Sequence, residues 1–403
     1  MKILYLHQYF KKPSMNGGVQ SYEFAKRLVR DGHQVILVTA DTENEFKSWN
    51  IENIDGIEVH WISIKYDNSF GFHRRLLAFL KFLIFSTFHI VPIKADKVIA
   101  TSTPLTISIP AIFYKLIRRK DFIFEVRDVW PEVPIALGFL NNRILRSLAT
   151  FLEKITYQQA SSLIALSPDM KKSISNRVTG KKIEVIPNAS DTHLFEKELD
   201  YKETDKEVFD KLVLIKRNHD KVAFYTGTLG MVNNLSYIIN LASFSPGEIA
   251  FVIIGSGKEK KELEALAEEN GTLGKTVYFF DSLPKDKLYI VHHLYDIAFS
   301  TVLPIKELYA NSANKIFDAF ASGCPICINH SGWLKELIDK ENCGLVLQDN
   351  ATKSEFDKLI TFLNSEKKMT EARRASKRLG QKDFNRERLY SKFKEVLENE
   401  KAI

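Results

Sequence analysis

Short runs of apolar, β-type residues recur along this chain, and between many of them the apolar positions repeat at helical spacing. In the first half the runs fall at residues 3–6, 34–39, 57–62, 97–101, 122–126, 162–166 and 183–186. Amphipathic helices are predicted over 19–30 and 143–159. Ser167-Pro168-Asp169 sets a capping hydroxyl before a proline suited to the first helical position, so a helix starts there, and Thr103-Pro104 repeats the signal. From 192 to 221 the chain turns polar and strongly charged, as a linker with one short helix near 206–217 would be. The alternation then restarts, with strands at 223–225, 250–254, 276–280, 297–300, 325–329 and 344–347 and helices at 235–243, 258–270, 313–322 and 354–363. Continuous apolar strands separated by helices read as parallel sheets covered on both faces. The fold class is therefore α/β: two doubly wound, Rossmann-like domains facing a cleft, with ligands expected at the carboxyl ends of the strands. The divisions are residues 1–190, a linker at 191–221, a second domain at 222–383 and a last helix in 384–403.

At 403 residues, 45% hydrophobic and 27% charged, the chain is long and apolar enough for cores in two or three domains. That composition excludes a disordered, collagen-like or disulfide-framed protein. Three cysteines suit a reducing compartment, and the opening Met1–Leu6 run is too short for a secretory h-region, so the chain is expected in the cytoplasm. The net charge of +7 is unevenly placed. Lys and Arg number 26 against 17 Asp and Glu up to Ser190, and 31 against 33 beyond it. A basic first half suits nucleic acid, anionic lipid or a phosphorylated substrate as well as a merely solvated surface. Residues 76–93 hold 13 apolar residues in 18, interrupted by Lys81, His89 and Pro92. This is short of a membrane span, and it reads as an ordinary core helix or as an amphipathic helix lying on a membrane.

Glycine turns follow several strands. Asn16-Gly17-Gly18-Val19 lies between the first strand and first helix, where a close-approaching backbone and a helix N-terminus suit a phosphate. Its spacing is not GxGxxG, which disfavours a nicotinamide cofactor. Gly227-Thr228-Leu229-Gly230 and Gly255-Ser256-Gly257 repeat the strand, turn and helix logic in the second half. In Asn311-Ser-Ala-Asn-Lys315, leading into a helix, Lys315 offers fixed charge for phosphate, while Asn314 and Asp318 share a helical face that could grip sugar hydroxyls. Arg127, Asp128 and Glu132 stand just past a strand end and are candidates for substrate contact, although a structural Arg–Asp pair fits equally. His7 ends the first strand beside the glycine loop. Cys324-Pro-Ile-Cys327 lies between a helix end and a strand, which argues against a redox or metal role.

Taken in order, Asn16-Gly-Gly-Val19, Val185-Ile-Pro-Asn-Ala-Ser-Asp191 with Phe195, Gly227-Thr-Leu-Gly230, Ile253-Ile-Gly-Ser-Gly257 and Asp318-Ala-Phe-Ala-Ser-Gly-Cys-Pro325 resemble the family 4 glycosyltransferases of the two-domain GT-B fold. Glu125-Val-Arg-Asp-Val-Trp-Pro-Glu132 and Asn311-Ser-Ala-Asn-Lys315 are most similar to its bacterial O-antigen and capsule branch, which includes N-acetyl-fucosaminyl transferases. The resemblance implies a retaining, metal-independent transfer from a nucleotide sugar, with no cofactor and no metal site. It further implies a last helix, around 384–398, that crosses back to the first domain. Donor binding is then expected at Gly17, Gly18, Gly227, Thr228, Gly230, Asn233, Gly255, Ser256, Asn314 and Asp318. Catalytic roles are expected at Lys315, Asp128 and Arg127, and acceptor-side roles at His7 and Glu132.

The expected partners are a UDP-sugar, a polyprenyl-diphosphate-linked saccharide and an anionic membrane surface, placing the protein peripherally at the inner face of the cell membrane. No nucleic-acid-reading motif accompanies the charge, so no nucleic acid is expected. Two departures stand out. The family often has two glutamates eight apart, where this chain has Ala310 and Asp318, and an Arg and a Lys near the places of Thr228 and Asn233. These departures keep two rivals open, a non-catalytic donor-binding scaffold and a GT-B sugar-nucleotide epimerase.

Overall fold

The computed structural model describes residues 1–15, 17–42, 44, 48–65, 70–189, 191–197 and 206–398. Asn16, Ser190, the linker stretch 198–205 and the tail 399–403 lie outside the described residues.

Eight strands form the first sheet: β1 (Lys2–Leu6), β2 (Gln34–Asp41), β3 (Asn50–Ile54), β4 (Ile57–Ser63), β5 (Lys97–Thr101), β6 (Phe122–Val126), β7 (Ser162–Ala165) and β8 (Lys182–Val185). Their order is β3-β4-β2-β1-β5-β6-β7-β8, with every pair parallel except β3 with β4. The inner strands are largely apolar because helices cover both faces, with Glu125 of β6 a buried exception. Helices α1 (Gln20–Arg30), α2 (Phe72–Ile90), α3 (Ser108–Arg118), α4 (Glu132–Ala136), α5 (Arg143–Gln159) and α6 (Pro168–Ser175) complete this domain. Ala78 and Phe82 of α2, Tyr114 of α3, Tyr157 of α5 and Met170 of α6 share one core, and Phe24 and Leu28 of α1 lie in another. Ser167 caps α6, its hydroxyl accepting from the Met170 amide at 3.1 Å. Among the described residues no helix is long and apolar enough to cross a membrane.

Two helices follow, α7 (Thr192–Phe195) and α8 (Lys206–Asn218). Leu212 and Ile215 of α8 are buried in the second domain's core, so this part of the expected linker packs as domain body. The second sheet comprises β9 (Lys221–Thr226), β10 (Ile249–Ile254), β11 (Val277–Phe280), β12 (Ile297–Ser300), β13 (Ile326–Ile328) and β14 (Gly344–Val346). It is wholly parallel in the order β11-β10-β9-β12-β13-β14, the arrangement of a doubly wound nucleotide-binding sheet. Around it lie α9 (Leu235–Ala242), α10 (Lys260–Glu269), α11 (Leu288–Leu294), α12 (Asn314–Ser322), α13 (Trp333–Glu341), α14 (Lys353–Asn364) and α15 (Glu366–Gln381).

The last helix, α16 (Arg386–Glu398), belongs to the first domain's core. Its Phe393 ring lies 4.7 Å from that of Phe24, and Tyr390 donates to Asp31 at 2.9 Å. Phe384, just before it, still packs in the second domain. The two chain crossings meet in a buried ion pair, where Arg386 Nε donates to both carboxylate oxygens of Asp191 at 2.8 Å. Further contacts close the seam: Ser167 donates to the Ala310 carbonyl at 2.7 Å, Asn188 to the Ser312 carbonyl at 2.6 Å, and the Trp333 amide to Asp169 at 2.9 Å.

Candidate active site

Between the domains lies a cleft of about 400 Å³ where strand ends and helix starts converge. The first domain contributes Gly17 and Gly18. From the second come Thr226, Gly227, Thr228 and Asn233 after β9, and Ile254, Gly255 and Ser256 after β10. Ser282, Leu283, Lys285 and Leu288 follow β11, and Ala313, Asn314, Lys315 and Asp318 open α12. The two sides nearly touch, for a Cβ on Gly18 would stand 2.6 Å from the Asn314 side-chain nitrogen.

Local packing forces two of these glycines. A Cβ on Gly255 would stand 1.8 Å from the Gly227 carbonyl oxygen. Gly227 itself has φ +143°, and a Cβ there would press on Lys315 Cε at 3.2 Å. With both positions bare, the β9 and β10 turns lie side by side and the lysine runs over them.

Helix α12 begins without a side-chain cap, since Ala313 holds that position, and although the Ile316 amide turns back to the Ala313 carbonyl at 3.1 Å, no side chain covers the helix start from a ligand. Lys315 adds a cation in the same turn. Its ammonium lies 4.5 Å above the Tyr225 ring and 3.5 Å from Asn233 Oδ1. Burial pushes its pKa down to about 8, against an opposing pull from Asp318. One turn deeper Asp318 is buried and pairs with Lys285, which donates to Oδ1. Asn314 and Asp318 line the same cleft, as their spacing of four predicts. Ser282 donates to Ser256 at 3.0 Å across the outer end. The arrangement suits a ligand with an anionic centre near Lys315 and hydroxyls near Asp318.

Of the residues expected to bind a donor, Gly17, Gly18, Gly227, Thr228, Asn233, Gly255, Ser256, Asn314 and Asp318 line the cleft together with Lys315, while Gly230 lies outside the lining. Arg127, Asp128, His7 and Glu132 are not in it either. The Arg127 guanidinium is engaged by Glu125 at 3.2 Å and Ser21 at 3.0 Å, so it is framework rather than a free cation. Glu132 is held by Arg177 and accepts from Ser173 at 3.1 Å. His7 is buried, and burial together with Arg127 drives its pKa well below the ordinary value, so it is neutral at physiological pH. Asp128 is exposed and accepts from the Thr103 hydroxyl at 2.6 Å. Burial pushes the Cys324 and Cys343 thiols up to about 12 and Cys327 well above its ordinary value, the behaviour of inert core thiols.

Sequence reading missed Lys285, Ser282 and Leu283. The signal was available, because the loop after β11 leaves the carboxyl edge of a parallel sheet beside two glycine turns already marked. Ala310, where the family often carries a glutamate, points away from the cleft into the first domain's core.

Two doubly wound domains facing a cleft are the architecture of the GT-B fold. Both parts of the chain match family models, Glycosyltransferase Family 4 over residues 17–194 and Glycosyl transferases group 1 over residues 209–379. The chain thus belongs to the glycosyltransferases that join these two domains.

Solved structures share the fold. Sucrose-phosphate synthase from Thermosynechococcus elongatus aligns with TM-score 0.80 at 12% identity, over 99% of this chain and 98% of that one. Anabaena Alr3699/HepE, in complex with UDP and glucose, aligns with TM-score 0.69 at 18% identity, over 99% and 100%. WaaG, a glycosyltransferase involved in lipopolysaccharide biosynthesis, aligns with TM-score 0.69 at 15% identity, over 98% and 99%. No curated protein sequence matches this chain.

Proposed function

We propose that the protein is a retaining glycosyltransferase moving a sugar from a UDP-sugar to a hydroxyl of a polyprenyl-diphosphate-linked saccharide, at the inner face of a bacterial membrane, in the assembly of O-antigen or capsule. An N-acetylated deoxyhexose is the sugar this reading favours. One observation carries it: Lys315 stands in the uncapped first turn of α12, facing the Gly17–Gly18 turn of the other domain, with Asp318 one turn deeper. A donor diphosphate fits the first feature and ribose hydroxyls the second. The UDP bound by Alr3699/HepE, a protein of the same fold, supports the choice of nucleotide.

In this mechanism negative charge builds on the leaving diphosphate as the bond from the sugar C1 to its phosphate oxygen breaks. Lys315 and the α12 amides stabilise that charge, in place of a divalent cation. The acceptor hydroxyl attacks C1 from the same face and gives its proton to the departing phosphate oxygen, so configuration is retained with no enzymic nucleophile. Asp318 accepts from the ribose, with Lys285 fixing its orientation through Oδ1. Asp128, steadied by Thr103, orients the acceptor.

The test is a screen of purified protein against UDP- and GDP-sugars in EDTA, reading thermal stabilisation and transfer to a lipid-linked acceptor from membrane extract. Stabilisation by a UDP-sugar with transfer is the expected result. Stabilisation without transfer, repeated with several acceptor extracts, overturns the reading in favour of a donor-binding scaffold.

A further inference from the structure

Of the seventeen large apolar side chains exposed among the described residues, eleven lie on α2, α3 and α5. Their opposite faces are packed on the first sheet through residues such as Phe82, Tyr114 and Tyr157, so these helices are apolar on two sides. On α2, Leu80, Ile84 and Phe88 make an outward stripe, with Phe88 71% exposed. On α3 Leu116 is 70% exposed, and on α5 Leu148 and Phe151 are 57% and 62% exposed. Such a contiguous face marks a surface that meets something apolar.

Charge tells what that is. Helices α2 and α3 contain no Asp or Glu, and the single acid of α5, Glu153, is buried against Arg177. Exposed bases flank the apolar stripe, including Arg74 and Lys81 on α2 and Arg143 and Lys154 on α5. A second copy docked through a two-fold axis would set base against base with no carboxylate to answer, which disfavours self-association. Apolar side chains ringed by bases match a bilayer with anionic headgroups.

We propose that the outer face of α2, α3 and α5 docks on an anionic lipid bilayer, with the three helices lying in the plane of its interface. Each of these helices follows a parallel strand, so its N-terminal end stands at the carboxyl edge of the sheet, the edge carrying Gly17 and Gly18. A docked protein thus holds the rim of its cleft at the bilayer, where a saccharide on a lipid carrier can enter while the carrier stays in the membrane. The inference rests on the proposed acceptor only for this last step.

Co-sedimentation of the full chain with phosphatidylcholine vesicles, with and without phosphatidylglycerol, tests it, using Leu148→Glu with Phe151→Glu on α5, Leu80→Glu on α2, and Arg143→Glu with Lys154→Glu. The wild type is expected to bind the phosphatidylglycerol vesicles and to release them as salt rises, with each variant set binding about tenfold more weakly. Exposed positions leave the fold intact, which circular dichroism and an unchanged UDP-induced thermal shift verify. Equal binding to both vesicle types, or equal binding by the variants, overturns the proposal. So does a wild-type dimer in sedimentation velocity that Leu148→Glu dissociates, which assigns the face to a second copy. A missing UDP shift with intact vesicle binding refutes the transferase reading and leaves the docking face standing.

Discussion

In the proposed mechanism Lys315 concentrates the donor chemistry in one titratable group. Its ammonium lies over the Tyr225 ring and beside Asn233, and the pull of Asp318 is too small to offset burial, so the pKa sits at about 8. The ordinary lysine value is about 10.4, so between pH 8 and that value the unfolded chain holds the extra proton. Raising pH through this window therefore favours the folded protein while weakening its grip on an anion. Calorimetric titration with UDP is expected to show affinity falling about tenfold from pH 7 to 9, and a much flatter profile in Lys315→Arg, whose charge persists. Lys315→Ala is expected to cut turnover about a hundredfold or more with the fold intact. Lys285 acts one step removed, by holding the Asp318 carboxylate. Lys285→Met should raise the donor KM about tenfold with a smaller change in kcat, and Lys285→Arg should recover most of it. A larger effect on kcat than on KM would place Lys285 on the reacting phosphates instead.

At the scale of elements, legibility followed the origin of the apolar signal. Parallel strands such as 97–101 and 122–126 stand where the sequence puts them, because a strand covered on both faces reads as a near-continuous apolar run, broken in the second by the buried Glu125. Strand β3 went unread, since it is an edge strand without a buried residue and with Ile51 exposed among polar neighbours, yet Asp55-Gly56, both at positive φ, mark its two-residue hairpin. Helix α15 was also missed. Its buried side is made largely of Ala372, Ala375, Ser376 and Gly380, small residues that carry no hydrophobic period yet let the helix sit against the Phe320 backbone. The cleft was readable wherever glycine turns announced it, whereas Lys285 is marked only by the place of its loop at the carboxyl edge of the sheet, since no local pattern distinguishes it from a surface lysine. Helix α16 presents an apolar face to the first domain, but its start depends on a pair that only the fold assembles. Arg386→Ala removes the partner that Asp191 shares with both crossings, and urea unfolding should show a loss of about 3 kcal/mol, whereas Glu395→Ala on the exposed side of the same helix should change little.

Across the whole molecule the seam between domains sets where residue 310 stands relative to the proposed donor cleft. A carboxylate at position 310 would not reach the cleft: Ala310 is buried among the first domain's apolar side chains, and its carbonyl is tied to Ser167. The loop bearing it also supplies the Ser312 carbonyl that Asn188 holds, so that position is part of the closure between domains. Ala310→Glu therefore tests whether the departure is a loss of function or a feature of this seam. Forcing a carboxylate into an apolar site without a partner should cost about 3 kcal/mol at neutral pH. Burial raises that group's folded pKa above the unfolded value of about 4.3, so the folded chain holds the proton more tightly. The cost should accordingly be small near pH 4 and grow as pH rises toward neutrality. Thermal melts from pH 4 to 8 would show the variant diverging from the wild type as pH increases, with donor KM rising as the seam loosens. A variant that melts with the wild type and turns over faster would instead place residue 310 at the substrate, and the closed seam would then be one state of a cleft that rearranges when it works.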